Sequence, residues 1–310
     1  MITGLAGNWQ QIMNILPSTR NLGSVRRRAS ATVARYKEIS ATRDSSALAA
    51  TLTFYGAIAV VPLLLLSLRA CALVTSASWV EARGDDVASL LPDALGARSV
   101  VLQLVSAGAE LSLLHCVLAI FPATFYGEGL RRALTSRRRP RPTSFDGWRG
   151  RLALVPVAVV APLLLLGVLA SAEWLADATT GGGVAALLLR VWLGFVVVWL
   201  VLGVLVAGAY SIVAAEDIPF TVVWWCAAVT ASFIAGFVQG FVLFLAIPVS
   251  LGAPFGGLTT VGAAIAIGLW MWVLHVLLIT GWTFTQATAQ VVAQGPRADD
   301  APPPGVETTR

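Results

Sequence analysis

Three charged side chains interrupt long apolar stretches of this sequence: Arg69, Glu110 and Arg190. A charged side chain inside a membrane is costly unless it is paired or hydrated, so such residues are candidates for function. Guanidinium groups bind phosphate and carboxylate groups, and a carboxylate can hold a guanidinium in place. The three residues therefore predict a polar cluster that receives an anionic headgroup, with Glu110 orienting one arginine. The alternative is snorkelling of the side chains to the membrane interface, or a structural ion pair.

Three further polar residues lie in apolar surroundings: His115, His275 and Gln239. Either histidine could change charge near neutral pH and relay a proton, or be a neutral, hydrogen-bonded core residue. Gln239 is predicted to form an interhelical hydrogen bond, because it lies beside a stripe of small residues that would let another helix approach. The stripe recurs at every fourth position: Ala228, Ser232, Gly236 and Gly240.

Pro62 and Pro162 each begin the run PLLLL inside an apolar stretch. Proline removes a backbone hydrogen bond, so both positions are predicted helix kinks that could act as hinges.

Residues for catalysis or metal binding are sparse in this sequence. The two histidines lie in separate apolar stretches, and no carboxylate cluster suited to metal-assisted hydrolysis accompanies them. Cys71, Cys116 and Cys226 have unrelated spacings, which suggests neither a disulfide framework nor a metal site. A nucleotide-binding P-loop is also absent. We therefore expect no enzyme activity, no metal and no cofactor.

The composition indicates which elements must position these residues. Hydrophobic residues make up 57% of the chain and charged residues 12%, with a mean hydropathy of +0.80, values that exclude a water-soluble globule. A helix needs about 20 apolar residues to cross a bilayer. Stretches of that kind cover residues 47–74, 105–126, 152–175, 184–213, 221–247 and 258–284. The sequence predicts an all-α, polytopic membrane bundle of about six transmembrane helices.

Arginine clusters predict the orientation of the chain. Residues 20–43 and 131–149 each hold seven basic residues, whereas residues 77–98 hold two basic and four acidic ones. Because basic loops stay in the cytoplasm, the first two segments are predicted inside and the third outside, with both termini cytoplasmic.

The run RRALTSRRRPRP at residues 131–142 could also suggest a nucleic-acid site. It lacks interleaved aromatic residues for base stacking, so we expect no nucleic acid as a partner. Anionic lipid headgroups at the cytoplasmic face are the predicted partners of these arginines.

The N-terminal segment adds a second basic element. Apolar residues recur there at helical spacing opposite arginines, which predicts an amphipathic helix lying in the cytoplasmic interface, although a solvated basic tail is the alternative. The apolar positions are Leu22, Val25, Ala29, Val33 and Tyr36. We expect a cytoplasmic segment over residues 1–43, a transmembrane domain over 44–286 and a disordered cytoplasmic tail over 287–310.

The run DSSALAATLTFYGAIAVVPLLLL, residues 44–66, resembles the first span of the YihY/virulence factor BrkB family of bacterial inner-membrane proteins. Phe255, Gly256 and Leu258, and further on Leu269, Trp270, Leu278 and Gly281, resemble the family's last loop and last span. Trp282 and Thr283 follow where the family often carries an acidic residue. The resemblance implies a multi-pass inner-membrane protein for which lipid transport has been proposed. Members were once labelled as a ribonuclease, a label that the absence of suitable catalytic residues argues against.

We therefore expect an inner-membrane protein that translocates a lipid or amphipathic substrate. The alternative is a non-transporting envelope scaffold whose arginine-rich loops dock a cytoplasmic partner. Whether the chain forms a homo-oligomer or binds an envelope partner protein is left open.

Overall fold

The computed structural model describes residues 19–91, 95–135, 146–178, 183–214 and 216–294, and throughout these ranges the regular structure is helical. The α-helices are α1 (Thr19–Ala41), α2 (Ser45–Val74), α3 (Ala77–Ser89), α4 (Ala97–Ala109), α5 (Leu113–Leu134), α6 (Asp146–Ala178), α7 (Val184–Gly208), α8 (Phe220–Phe244) and α9 (Thr259–Ala293). Several sequence predictions fall outside the described residues: the arginine run 137–141, the side chains of Leu22 and Arg149, and the tail from Gly295.

Five of the described helices are long and apolar enough to cross a membrane, and the all-helical membrane fold is confirmed. They are α2, α5, α7 with its π-helical extension Ala209–Val213, α8 and α9. The third predicted span falls on α6, where the apolar part that the structure describes, Ala158–Ser171, is shorter. Many large apolar side chains of these helices are exposed, as expected of surfaces that face lipid.

The predicted second span, residues 105–126, is wrong in its position. Residues 105–109 belong to α4, which ends at Ala109, and a new helix begins at Leu113 with Ser112 as its N-cap. The Ser112 hydroxyl accepts a hydrogen bond from the His115 amide at 3.4 Å, so a side chain replaces the backbone partner that the first turn lacks. The membrane-spanning helix therefore lies about eight residues later, over Leu113–Leu134.

The segment predicted as an exported loop, residues 77–98, contains α3 and the start of α4, which pack together as a helical hairpin. The hairpin packs closely because glycines face bulky side chains: Gly84 lies against Val105, and Gly108 lies against Leu68 of α2. Val105 and Leu68, together with Cys71 and Leu169, belong to an apolar core around the C-terminal part of α2.

A second apolar core joins α2, α5, α7, α8 and α9 near the N-terminal end of α2. Its largest members are Trp282 and Tyr210, which are almost completely buried. The Trp282 indole donates a hydrogen bond to the carbonyl of Leu134 at 2.6 Å, and the Tyr210 hydroxyl donates one to the carbonyl of Leu278 at 2.6 Å. Leu134 is the last residue of α5, so Trp282 satisfies a carbonyl that the helix itself leaves unpaired.

The loop between α8 and α9 folds back over the first turns of α9. Backbone amides of Phe255 and Gly257 both donate to the carbonyl of Gly252 at 2.9 Å. Gly256 and Gly257 have φ angles of +63° and +89°, a region that favours glycine. The carbonyl of Leu251 lies against Gly262 with no room for a Cβ atom.

The chain divides into two compact units, residues 44–282 and a smaller unit of residues 1–43 with 283–310. In the described part of the smaller unit, α1 packs against the last turns of α9: Arg35 bonds Gln290, Arg43 bonds Gln286, and Tyr36 contacts Phe284. Val25 and Val33 of α1 remain 63% and 47% exposed, which leaves part of the predicted apolar stripe on the surface.

Candidate functional site

Arg69 lies on α2, five residues before the helix ends at Val74. One guanidinium nitrogen, Nη1, donates a hydrogen bond to the carbonyl of Ala109 at 2.7 Å. Ala109 is the last residue of α4, where the helix dipole is negative and attracts a cation. The Nε atom of Arg69 is buried and has no hydrogen-bond partner. The guanidinium is therefore fixed by a helix end while one of its donors is left unsatisfied.

Glu110 and Arg190 are placed differently from the predicted cluster. Glu110 is exposed at the C-cap of α4, so it does not lie in the first turn of a span. Within the part of the chain that the structure describes, no ion pair joins its carboxylate to Arg69. Arg190 is exposed on the second turn of α7. The structure thus places Arg69 against the backbone carbonyl of Ala109 and not against the carboxylate of Glu110.

The two histidines differ in their surroundings. His115 is the third residue of α5, exposed, with its Nδ1 atom 2.7 Å from the Ser112 hydroxyl, so it does not lie deep in a span as the sequence predicted. His275 on α9 is buried, and both of its ring nitrogens have partners. Nδ1 lies 2.9 Å from the Thr53 hydroxyl of α2, and Nε2 lies 3.0 Å from the Tyr126 hydroxyl of α5.

The Thr53 hydroxyl fixes the tautomer of His275. It donates its single proton to the carbonyl of Ala49 at 2.8 Å, so its oxygen accepts from Nδ1–H of the imidazole. Nε2 pairs with the Tyr126 hydroxyl. His275 on α9 therefore links three helices, through one hydrogen bond to α2 and one to α5.

Substitution of Tyr126 by phenylalanine is expected to lower the thermal stability of the purified protein. The change removes the donor to Nε2 and leaves a buried acceptor unsatisfied, which costs about 1–3 kcal/mol. Melting followed by size-exclusion of the detergent-solubilised protein measures the effect. The control is Tyr55→Phe, because the Tyr55 ring packs by stacking. Equal melting of Tyr126→Phe and wild type would contradict this role of the hydroxyl.

The small-residue stripe on α8 lies beside the buried face of the helix rather than on it. The buried positions include Ala227, Ala231 and Ala235, whereas a Cβ atom added to Gly236 would meet nothing within 4 Å. Of the stripe itself, Ala228 accepts a hydrogen bond from the Trp199 indole of α7 at 2.8 Å, Gly240 approaches Trp270, and Ser232 bonds back to its own helix.

Gln239 lies near a neighbouring helix, and the two predicted kink residues lie inside helices. The amide oxygen of Gln239 lies near Gly194 of α7, 3.9 Å from where a Cβ atom would be. Pro62 lies inside α2, and Pro162 lies inside α6, where its carbonyl accepts a hydrogen bond from the Cys71 thiol at 3.3 Å. Pro122 and Pro156 are two further prolines inside helices that the sequence analysis did not single out.

A buried carboxylate near the end of α5 was missed by the sequence analysis. Glu128 is 4% exposed and accepts hydrogen bonds from two arginines. Arg131 donates from Nε and Nη2 at 3.1 and 3.2 Å, and Arg132 donates from Nε. The signal was present as E-x-x-R-R, a spacing that places both arginines one helical turn from the acid. It was overlooked because the predicted span ended at Tyr126.

An arginine–aromatic stack on α2, α5 and α6 was also missed. The guanidinium carbon of Arg151 lies 4.3 Å from the ring centre of Phe125 and 5.3 Å from that of Phe121. Tyr55 stacks on Phe125, with ring centroids 6.4 Å apart and an interplanar angle of 15°. Contacts between residues so far apart in sequence give no local pattern that could reveal them.

Among the described residues, no three His, Cys, Asp or Glu side chains lie close enough to hold a metal ion together. The features described above are an arginine at a helix end, a histidine that links three helices, and exposed aromatic rings.

An all-helical chain with five long, apolar, largely lipid-exposed helices is a multi-pass α-helical membrane protein. A family model described as Virulence factor BrkB matches residues 38–305. The chain therefore belongs to this family, as the resemblance of its first and last spans predicted. No curated protein and no solved structure gives a match.

Proposed function

We propose that this protein translocates a lipid or another amphipathic anion across the cytoplasmic membrane and catalyses no covalent chemistry. The observation that carries the proposal is the environment of Arg69. A guanidinium inside a span is costly, and a structural ion pair would offset that cost. Among the described residues Arg69 has no such pair, only the Ala109 carbonyl, and its Nε donor is unsatisfied.

A phosphate or carboxylate headgroup that reaches the buried Nε atom would supply the hydrogen-bond partner that Arg69 lacks. Arginine binds such groups through two parallel N–H donors, and Nε is one of the donors used in that geometry. The hydrogen bond to Ala109 occupies Nη1, so it orients the guanidinium without using Nε. Among the described residues no ion pair joins Glu110 to Arg69, so in this proposal the Ala109 carbonyl orients the guanidinium in place of the Glu110 carboxylate. The Arg69 position is thus suited to transient binding of an anion.

Substitution of Arg69 by glutamine is expected to slow protein-dependent lipid movement in proteoliposomes on the order of tenfold, the loss expected for one charge-assisted hydrogen bond. Glutamine keeps a donor for the Ala109 carbonyl but loses the charge. The assay follows a fluorescent phosphatidylglycerol that dithionite quenches from outside.

The matched control is Arg98→Gln, which removes an arginine whose side chain is 43% exposed and lies 3.8 Å from the Asp85 carboxylate. It is expected to leave the rate unchanged. A folded Arg69→Gln protein that moves lipid as fast as wild type would remove Arg69 from the pathway. A folded wild-type protein with no activity would favour the non-transporting scaffold.

A further inference from the structure

Four residues of α5 lie on one face of the helix and form a stripe that ends in a charge: Phe121, Phe125, Glu128 and Arg132. Their spacings of four, three and four residues keep them aligned along a helix. Arg151 of α6 lies over both phenylalanine rings, and Tyr55 of α2 stacks on Phe125. We call these six residues the arginine–aromatic stripe. The stripe is built from three helices. It runs from the middle of α5 to its C-terminal end, away from the start of α5 near Glu110.

Part of the stripe is open to the surroundings, although Glu128 is buried. Phe121 is 59% exposed, and the neighbouring Phe54, whose ring contacts Tyr55 edge to face, is 65% exposed. The Arg132 side chain is 57% exposed although it bonds Glu128. Rings that only filled the core would be covered by protein, whereas these rings present a surface to lipid.

The stripe combines positive charge with exposed aromatic rings, and a phospholipid has both a phosphate and acyl chains to match them. Glu128 shares its carboxylate between Arg131 and Arg132, so these three residues carry one net positive charge, and Arg151 adds a third guanidinium over Phe125. Arginine binds phosphate oxygens, tyrosine rings are enriched at the boundary between headgroups and acyl chains, and exposed phenylalanine rings offer apolar surface to acyl chains. Along α5, Phe125 and Arg132 are separated by seven residues, or about 10 Å, which is the scale of a phospholipid headgroup and its glycerol.

We propose that the arginine–aromatic stripe binds an anionic phospholipid from the leaflet at this end of the bundle. Arg132 and Arg151 contact the phosphate, and Phe121 and Phe54 lie against the upper acyl chains. Glu128 is a positioning residue, because its buried carboxylate fixes the direction of the Arg132 side chain. The site is separate from Arg69, and a lipid bound here need not cross the membrane, so the proposal goes beyond translocation.

The rigidity of the stripe favours binding. Arg151 is held over two aromatic rings by cation–π contacts, and Arg132 is held by Glu128. Side chains that are already ordered lose less conformational entropy when a ligand arrives.

Native mass spectrometry of the purified full-length protein tests the proposal. Phosphatidylglycerol and phosphatidylcholine with identical acyl chains are added separately, and the lipid-bound fraction is measured at each concentration. Wild type is expected to retain phosphatidylglycerol more tightly than phosphatidylcholine. Arg132→Ala and Arg151→Ala are each expected to weaken phosphatidylglycerol binding on the order of tenfold, the loss expected for one charge-assisted contact.

The variants are chosen so that folding does not obscure the result. Arg132→Ala leaves Glu128 paired with Arg131 through two hydrogen bonds, so the buried acid stays satisfied. Arg151→Lys keeps the charge but loses the planar stack, and we expect it to bind a few-fold more weakly than wild type. Arg98→Ala, on the exposed surface of α4, is the control and is expected to leave binding unchanged.

Equal retention of the two lipids by wild type would overturn the proposal, as would wild-type affinity of the folded Arg132→Ala and Arg151→Ala proteins. An equal loss in Arg98→Ala would also overturn it, because net charge alone would then explain binding. The lipid-movement assay is independent of this test: Arg69 variants address translocation, and stripe variants address retention.

Discussion

Trp282→Ala is expected to destabilise the bundle by about 3–5 kcal/mol, the cost usually seen when a fully buried aromatic side chain is removed. Trp282 has no exposed surface, and its ring lies 5.1 Å from that of Tyr210. The substitution creates a cavity between α5, α7 and α9 and leaves the Leu134 carbonyl without its indole donor. The melting temperature of the detergent-solubilised protein should fall accordingly.

Two companion variants separate the causes. Trp225→Ala removes a tryptophan that is 71% exposed on α8, and it is expected to have little effect on melting. Trp282→Phe keeps most of the volume but loses the indole N–H, so it is expected to cost about 1–2 kcal/mol. If Trp282→Ala melts at the same temperature as Trp225→Ala, this core does not stabilise the bundle as described.

Gly262→Ala is the second change with a large expected effect. A Cβ atom at Gly262 would overlap the carbonyl of Leu251, and backbone atoms cannot move aside as a flexible side chain can. The loop over residues 250–257 must then leave the first turns of α9. We expect a loss of about 1–3 kcal/mol or more, together with faster hydrogen exchange in the loop.

Gly268→Ala is a matched control on the same helix, because its Cβ atom would meet nothing within 4 Å. Alanine is the better helix former, so this control is expected to be neutral or slightly stabilising. The opposite signs of two identical substitutions, six residues apart, are the specific expectation. Unchanged exchange in the loop of a Gly262→Ala protein would contradict the close packing of Leu251 on α9.

Helix type and membrane location could be predicted from the sequence because both depend on summed hydropathy. Helix ends could not be predicted equally well. Residues 105–109 and 113–126 are both apolar, so a hydropathy window joins them across the break. The break depends on a cap at Ser112 and on packing of α4 against α2, and hydropathy contains neither.

The packing face of α8 shows a second limit. Two small-residue stripes run side by side along this helix: Ala228, Ser232, Gly236 and Gly240, and one position earlier Ala227, Ala231 and Ala235. Either could allow another helix to approach, and the sequence gives no reason to choose. The structure buries the second stripe, because Ala227 and Ala231 contact the core that contains Tyr210 and Trp282.

Residues of the candidate sites could be predicted where a polar or charged side chain stands out within an apolar stretch of the sequence. Arg69 stands out as a charge in an apolar run, and the structure leaves its Nε without a partner. His275 was recognisable as a buried polar residue, but Thr53 and Tyr126 are 222 and 149 positions away and have no local signal. Arg151 and its rings were missed for the same reason, since stacking across helices is a tertiary contact.

Transbilayer movement of a fluorescent phosphatidylglycerol in vesicles with and without folded wild-type protein tests the central claim most directly. The proposed function predicts faster movement with protein, and slower movement of a phosphatidylcholine probe with identical chains, because Arg69 attracts a net negative headgroup. Identical rates in protein-containing and protein-free vesicles would contradict unassisted lipid translocation by this chain.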